Sequence, residues 1–130
     1  MSERPHKRLI VWQRAMDFIE KIYRLTKQFP DEERFGLISQ MRRAAISIAT
    51  NIAEGAARQT TKETVQFFFI ARGSLSELDT QIDIAHRLQF INTEQRAMVT
   101  SDVEELGRLL NGLITNKVGT PHLLTSSPHH

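Results

Sequence analysis

The segment Phe35–Gly55, FGLISQMRRAAISIATNIAEG, decides the fold of this chain because it carries two patterns on one predicted helix. Apolar residues recur at steps of three and four, which aligns them on one helical face: Ile38, Met41, Ala45, Ile48 and Ile52. Alanines between them keep the helix thin, so that a neighbouring helix approaches closely. Gly55 is predicted to end this helix, since glycine readily adopts the left-handed conformation that closes helices.

The same helix carries a polar stripe whose members also share one face, namely Arg43, Ser47, Asn51 and Glu54. A later helix offers a similar stripe of Arg72, Ser76, Asp79 and Asp83. We assign both stripes to packing, arginine against carboxylate, between helices or between subunits. The alternative is that Arg42 and Arg43 bind phosphate, and Arg42 is the residue expected to reach outward.

The full pattern predicts an all-α protein, an antiparallel up-down four-helix bundle over residues 11–117. The first helix is predicted at about 11–29, the second at 37–53, the third at 61–89 and the fourth at 93–116. Thr60 caps the third helix in a predicted capping box with Glu63, and Asn92 or Thr93 caps the fourth. Residues 1–10 are expected to form a flexible leader, and residues 118–130 a disordered tail.

The start of the third helix is apolar nearly all the way round. The run consists of Phe67, Phe68, Phe69 and Ile70, with Val65 just before it. A helix that is apolar on every side is buried on every side. Either this end tucks under a loop, or it meets another copy of the chain; we favour an interface, because wide exposed apolar patches are unusual on soluble monomers.

Composition excludes several classes of protein. The 130 residues are one domain in length, and the absence of cysteine removes disulfides and thiolate chemistry. No window approaches the roughly 20 apolar residues of a membrane span, and the first residues do not resemble a secretion signal. A cytoplasmic protein with no membrane role is therefore expected.

Charge is unevenly distributed. Residues 1–62 carry 12 Lys and Arg against 7 Asp and Glu, whereas residues 63–130 carry 5 against 8. This asymmetry indicates an anionic partner, or copies that meet basic face to acidic face; ordinary solvated helix surface explains it equally well. The side chains predicted to contact RNA or DNA phosphates are Lys7, Arg14, Lys21, Arg24, Arg58 and Lys62.

Neither a metal site nor a catalytic site is predicted. Asp83 and His86 lie one turn apart, but di-metal sites in bundles need two such motifs and further carboxylates from facing helices. No serine lies in a nucleophile-elbow setting, and there is no glycine-rich phosphate loop. We therefore expect no enzyme activity and no cofactor.

Several blocks of sequence carry a family resemblance: VWQRAM at 11–16, FPDEERFGL at 29–37, SQMRRAA at 39–45, NIAEG at 51–55 and ARGSLSEL at 71–78. They resemble the four-helix-bundle proteins first noticed as reading frames inside intervening sequences of bacterial 23S ribosomal-RNA genes. The resemblance implies a cytoplasmic bundle that assembles as a ring of five. A related accessory protein of diversity-generating retroelements has a basic surface, binds nucleic acid and partners a reverse transcriptase.

Two functions follow as hypotheses. The first is a non-enzymatic homopentamer that binds RNA or DNA through its basic surface. The second is a scaffold for protein–protein interaction with no nucleic-acid role. Fold and charge alone do not transfer a function from one protein to another.

Overall fold

The computed structural model describes residues 4–118 as a bundle of four helices. They are α1 (Ile10–Thr26), α2 (Leu37–Ala56), α3 (Thr61–Arg87) and α4 (Thr93–Val118), and two short 3₁₀ helices occupy Pro5–Arg8 and Asp31–Glu33. Residues 4–118 contain no strand. The predicted all-α four-helix bundle is thus confirmed.

Each helix packs against the next one along the chain, and α4 returns to pack against α1. The apolar positions at steps of three and four point inward from all four helices. Ile22, Met41, Ile52, Leu78 and Leu110 are among the fully buried side chains. One continuous core therefore lies along the axis of the bundle, as the spacing predicts.

Local signals account for the starts of α3 and α4. The Thr60 hydroxyl accepts a hydrogen bond from the Glu63 backbone N–H at 3.2 Å, as expected for a helix cap. Asn92 Oδ1 accepts from the Gln95 N–H at 2.8 Å, and Gln95 Oε1 accepts from the Asn92 N–H at 2.9 Å. This reciprocal pair is a capping box, which identifies Asn92 rather than Thr93 as the cap.

Several boundaries differ from the prediction. The first helix ends at Thr26 instead of near residue 29, and the third ends at Arg87 instead of near residue 89. The prediction that Gly55 ends the second helix is wrong, because α2 continues to Ala56 and Gly55 is buried within it. Part of the predicted flexible leader is folded, since Pro5–Arg8 form a 3₁₀ helix in which the Lys7 carbonyl accepts a bond from the Gln13 amide at 2.8 Å. The helix α4 extends to Val118, and the predicted disordered tail beyond it lies outside the described residues.

Gly55 is instead a site of close helix packing. A Cβ atom at this position would lie 2.7 Å from Cε1 of Phe68 and 3.0 Å from the backbone oxygen of Thr64. Only a residue without a side chain lets α2 and α3 approach this closely.

Within residues 4–118, no helix is both long enough and apolar enough to cross a membrane.

Candidate functional site

The apolar run at the start of α3 divides between the core and the surface. Phe68 is 1% exposed and packs on Gly55, so of the two predicted alternatives, packing or a subunit interface, it takes part in packing between helices. Its neighbours Phe69 and Ile70 are 36% and 47% exposed. Helical geometry explains the division, because successive side chains point about 100° apart.

Arginines cover the two surface phenylalanines. The Arg58 guanidinium lies 4.8 Å from the ring centroid of Phe67, on the side of α2. The Arg72 guanidinium lies 4.7 Å from the ring centroid of Phe69. We call Phe67, Phe69 and Ile70 together the α3 apolar strip. It is a half-exposed surface with cations stacked on its rings, an arrangement that holds the rings in place.

The polar stripe of α2 makes a small hydroxyl and amide cluster. Ser47 Oγ lies 2.8 Å from Ser74 Oγ across the α2–α3 contact. Asn51 Nδ2 donates to both the Ser47 carbonyl and its hydroxyl, at 2.9 and 3.0 Å. Arg43 donates to Ser39 on its own helix at 3.1 Å. The stripe thus meets α3 through Ser74 and not through the predicted Ser76.

The charged stripe of α3 turns toward α4, contrary to the prediction that it faces α2. Arg72 donates to Asn111 Oδ1 at 3.0 Å, and Asp83 accepts from Arg96 Nε at 2.9 Å. Ser76, like Arg72, is exposed. The predicted arginine–carboxylate contacts between α2 and α3 are therefore replaced by contacts between α3 and α4.

Arg42 does not reach outward, and the expectation that it does is wrong. Its Nε donates to Thr26 Oγ1 at 2.9 Å and its Nη2 donates to the Tyr23 carbonyl at 3.3 Å. The guanidinium also lies 4.3 Å from the Tyr23 ring centroid. Arg42 therefore bonds to the carboxyl end of α1, where the Tyr23 carbonyl also accepts from the Lys27 N–H and the Thr26 hydroxyl.

Four of the six predicted phosphate-binding cations lie next to carboxylates. Two of them join α1 to α4, since Lys21 lies 3.1 Å from Asp102 and Arg14 lies 3.6 Å from Glu105. The other two are pairs of residues four apart in the sequence: Arg24 with Glu20 in α1, and Arg58, just after α2, with Glu54. The two pairs between α1 and α4 thus join the basic half of the sequence to the acidic half within one chain. Such pairing reduces the positive potential around these cations.

Lys7 and Lys62 are the remaining two members of that set. Both are exposed, and within residues 4–118 neither forms an ion pair with a carboxylate. They lie on different elements, Lys7 in the first 3₁₀ helix and Lys62 in the first turn of α3. The six predicted side chains are thus spread over the first 3₁₀ helix, α1, the loop after α2 and the start of α3.

The two described histidines have structural partners. His86 Nε2 lies 3.2 Å from Thr93 Oγ1, and the His6 ring meets the Trp12 ring edge-on at 4.8 Å between centroids. Neither ring bonds to a serine that it could activate. The described residues contain no group of three or more His, Asp or Glu side chains arranged to hold a metal ion.

Two exposed apolar features were not singled out by the sequence patterns. Met16 and Ile46, each 41% exposed, lie in a shallow groove between α1 and α2. Phe35 is 90% exposed in the turn between those helices. Helical periodicity identifies the residues that face the core. It does not identify apolar side chains on other faces of a helix or in turns.

Comparisons with known proteins agree on one family. The sequence pattern described as "23S rRNA-intervening sequence protein" matches residues 7–112. A solved structure from Bacteroides thetaiotaomicron, a protein of unknown function from the S23 ribosomal protein family, is similar to this chain with a TM-score of 0.75 and 25% identity. The similarity covers 81% of this chain and 98% of that one. Among curated proteins, none matches this sequence.

Proposed function

We propose that this chain, which belongs to the family of 23S rRNA-intervening sequence proteins, is a non-enzymatic subunit of a homo-oligomer that acts as an interaction scaffold in the cytoplasm. The number of copies that the family resemblance implies is five. The assembly, rather than any pocket of the single chain, then presents the surface that a partner recognises.

The α3 apolar strip carries this proposal. Phe69 and Ile70 are large apolar side chains with more than a third of their surface exposed, on the segment that is apolar nearly all round. Fully burying a side chain of this size contributes about 1.5–3 kcal/mol, so covering the third to half that is still exposed contributes about 0.5–1.5 kcal/mol each. A symmetric ring multiplies each contact by the number of copies. Arginines stacked on Phe67 and Phe69 hold the rings in place before a partner arrives.

Light scattering coupled to size exclusion tests the assembly. We expect the unchanged chain to elute at five times the chain mass. The double variant Phe69→Ser, Ile70→Ser should lose copies, because it makes the strip polar. A matched control is Ile84→Ser, which alters a 41% exposed residue elsewhere on the same helix. A monomer mass for the unchanged chain would refute the proposal.

A second candidate function is binding of RNA or DNA, which Lys7 and Lys62 favour as exposed lysines without a carboxylate partner among the described residues. Each lysine is repeated in every copy, so an oligomer in which both lysines stay exposed would concentrate them. Phosphate contacts make the logarithm of affinity fall linearly with the logarithm of salt concentration. Labelled single- and double-stranded RNA and DNA, titrated at two salt concentrations, test this. We expect Lys7→Ala with Lys62→Ala to flatten the salt dependence, whereas absence of binding at low salt excludes nucleic acid.

A further inference from the structure

We propose that copies of this chain join head to tail, with Phe35 of one copy docked into the groove between α3 and α4 of the next. This inference rests on the proposed self-association and specifies the contact that produces it. It pairs the most exposed aromatic side chain among the described residues with the apolar groove that contains Phe69.

Phe35 projects from the turn between α1 and α2. At 90% exposure it stands well above Met98, the next most exposed large apolar side chain of residues 4–118, which is 61% exposed. A single exposed apolar residue is ordinary on a protein surface. Phe35 differs from an ordinary case because its turn is rigid and acidic.

Hydrogen bonds hold the turn around Phe35. The Arg34 N–H donates to the Asp31 carbonyl at 3.0 Å, and the Gly36 N–H donates to the Glu33 carbonyl at 3.0 Å. Glu33 Oε1 also accepts from the Leu37 N–H at 3.1 Å, at the first residue of α2. The ring is therefore presented on an ordered support, which lowers the entropy lost on docking.

Negative charge outweighs positive charge beside the ring, because Asp31, Glu32 and Glu33 precede it together with one cation, the exposed Arg34. Asp31 and Glu32 are exposed, and within residues 4–118 neither forms an ion pair. They belong to the same 3₁₀ helix that precedes Phe35. A surface that receives this turn must accept an aromatic ring and neutralise one or two carboxylates.

The groove between α3 and α4 has that chemistry. Its volume is about 540 Å³, and its lining residues are Thr61, Lys62, Val65, Gln66, Phe69 and Lys117. Phe69, which is 36% exposed, supplies most of the apolar contact surface, and Val65 lies buried beside it. The two lysines supply positive charge. Lys62 and Lys117 are both exposed and pair with no carboxylate of the described chain.

Phe35 cannot reach the groove of its own chain. The turn lies at one end of the bundle, where the Phe29 and Phe90 rings from its two loops meet at 5.3 Å between centroids. The groove lies at the other end, where α3 begins and α4 ends. The 20 residues of α2 separate the two ends, a distance of roughly 30 Å at 1.5 Å per residue.

The occupant is therefore a second copy of the chain. A contact between two different surfaces of identical subunits is heterologous, and it closes into a ring when the rotation between subunits permits. Opposite charge at the two surfaces fixes the register and disfavours contact of like ends.

The first test is the mass of the Phe35→Ser variant by light scattering. We expect a monomer, with thermal unfolding unchanged at low concentration because Phe35 lies outside the core. The control Leu88→Ser alters a 53% exposed side chain at the same end of the bundle, and it should keep the mass of the unchanged chain. If Phe35→Ser retains the oligomer, this head-to-tail contact is refuted while self-association stands; a monomeric unchanged chain refutes both.

Mixing two variants provides the second test. Phe35→Ser keeps the groove, and the double variant Lys62→Glu, Lys117→Glu keeps the turn. Each alone should be monomeric, whereas an equimolar mixture should form a species of two chains and no larger one. That outcome is specific to a contact between unlike surfaces. A mixture that stays monomeric would contradict the pairing of this turn with this groove.

Discussion

Gly55 is structurally important, as the sequence pattern indicates, but for a different reason from the one that the pattern predicts. A glycine after a run of helical spacing is typical of a helix end. In the structure it lies inside α2, against Phe68, and α2 ends one residue later. The missing side chain is used for close approach between helices rather than for a left-handed turn.

Gly55→Ala is expected to destabilise the fold by about 1–3 kcal/mol. The added Cβ would lie 2.7 Å from the Phe68 ring and 3.0 Å from the backbone of α3. Relieving the second contact requires a shift of the α3 backbone, which costs free energy. Urea unfolding followed by circular dichroism measures the change. The control Gly73→Ala meets nothing within 4 Å and should stabilise the chain by about 0.5–1 kcal/mol, because alanine favours the helix interior. Equal stability of Gly55→Ala and the unchanged chain would contradict the packing role.

At the scale of elements, local sequence predicts where a helix begins more reliably than it predicts which helix a side chain contacts. Thr60 and Asn92 each bond to a backbone N–H three residues ahead, a contact that needs no other helix. The spacing of the α3 stripe predicts that Arg72 contacts α2, yet Arg72 bonds to Asn111 of α4. Spacing places a side chain on a face, and only packing decides which helix that face meets.

Asn92→Ala is expected to cost about 0.5–2 kcal/mol, because it removes the acceptor for the Gln95 N–H at the start of α4. Asn92→Asp keeps an acceptor oxygen and serves as the matched control. Thermal unfolding of both variants, each compared with the unchanged chain, gives the measurement. A lowered midpoint for both variants would show that the side-chain oxygen is not what matters at this position.

At the scale of the whole molecule, two ion pairs join the basic half of the sequence to the acidic half within one chain. Lys21 and Arg14 of α1 lie against Asp102 and Glu105 of α4. Such exposed pairs contribute at most about 1 kcal/mol each, so their main consequence is a weaker basic surface. Among the described residues, large apolar side chains also remain exposed, at Phe35, Phe69 and Ile70.

Self-association makes a further measurement informative. If copies bind in the folded state only, mass action raises the unfolding midpoint as protein concentration rises. We expect this trend for the unchanged chain in thermal scans over a hundredfold range of concentration. The Phe69→Ser, Ile70→Ser variant should unfold at a midpoint independent of concentration. A constant midpoint for the unchanged chain would indicate that folding does not depend on assembly.

The sequence by itself determined the four helices, the cap at Thr60 and the apolar faces, because helical period and capping act within a few residues along the chain. Only the tertiary structure decided that Arg42 bonds to the end of α1, that Ser47 meets Ser74, and that Phe68 is buried while Phe69 is exposed. These outcomes depend on the rotation and register of packed helices. That geometry is fixed by the fit of all core side chains together, and no local pattern in the sequence encodes it.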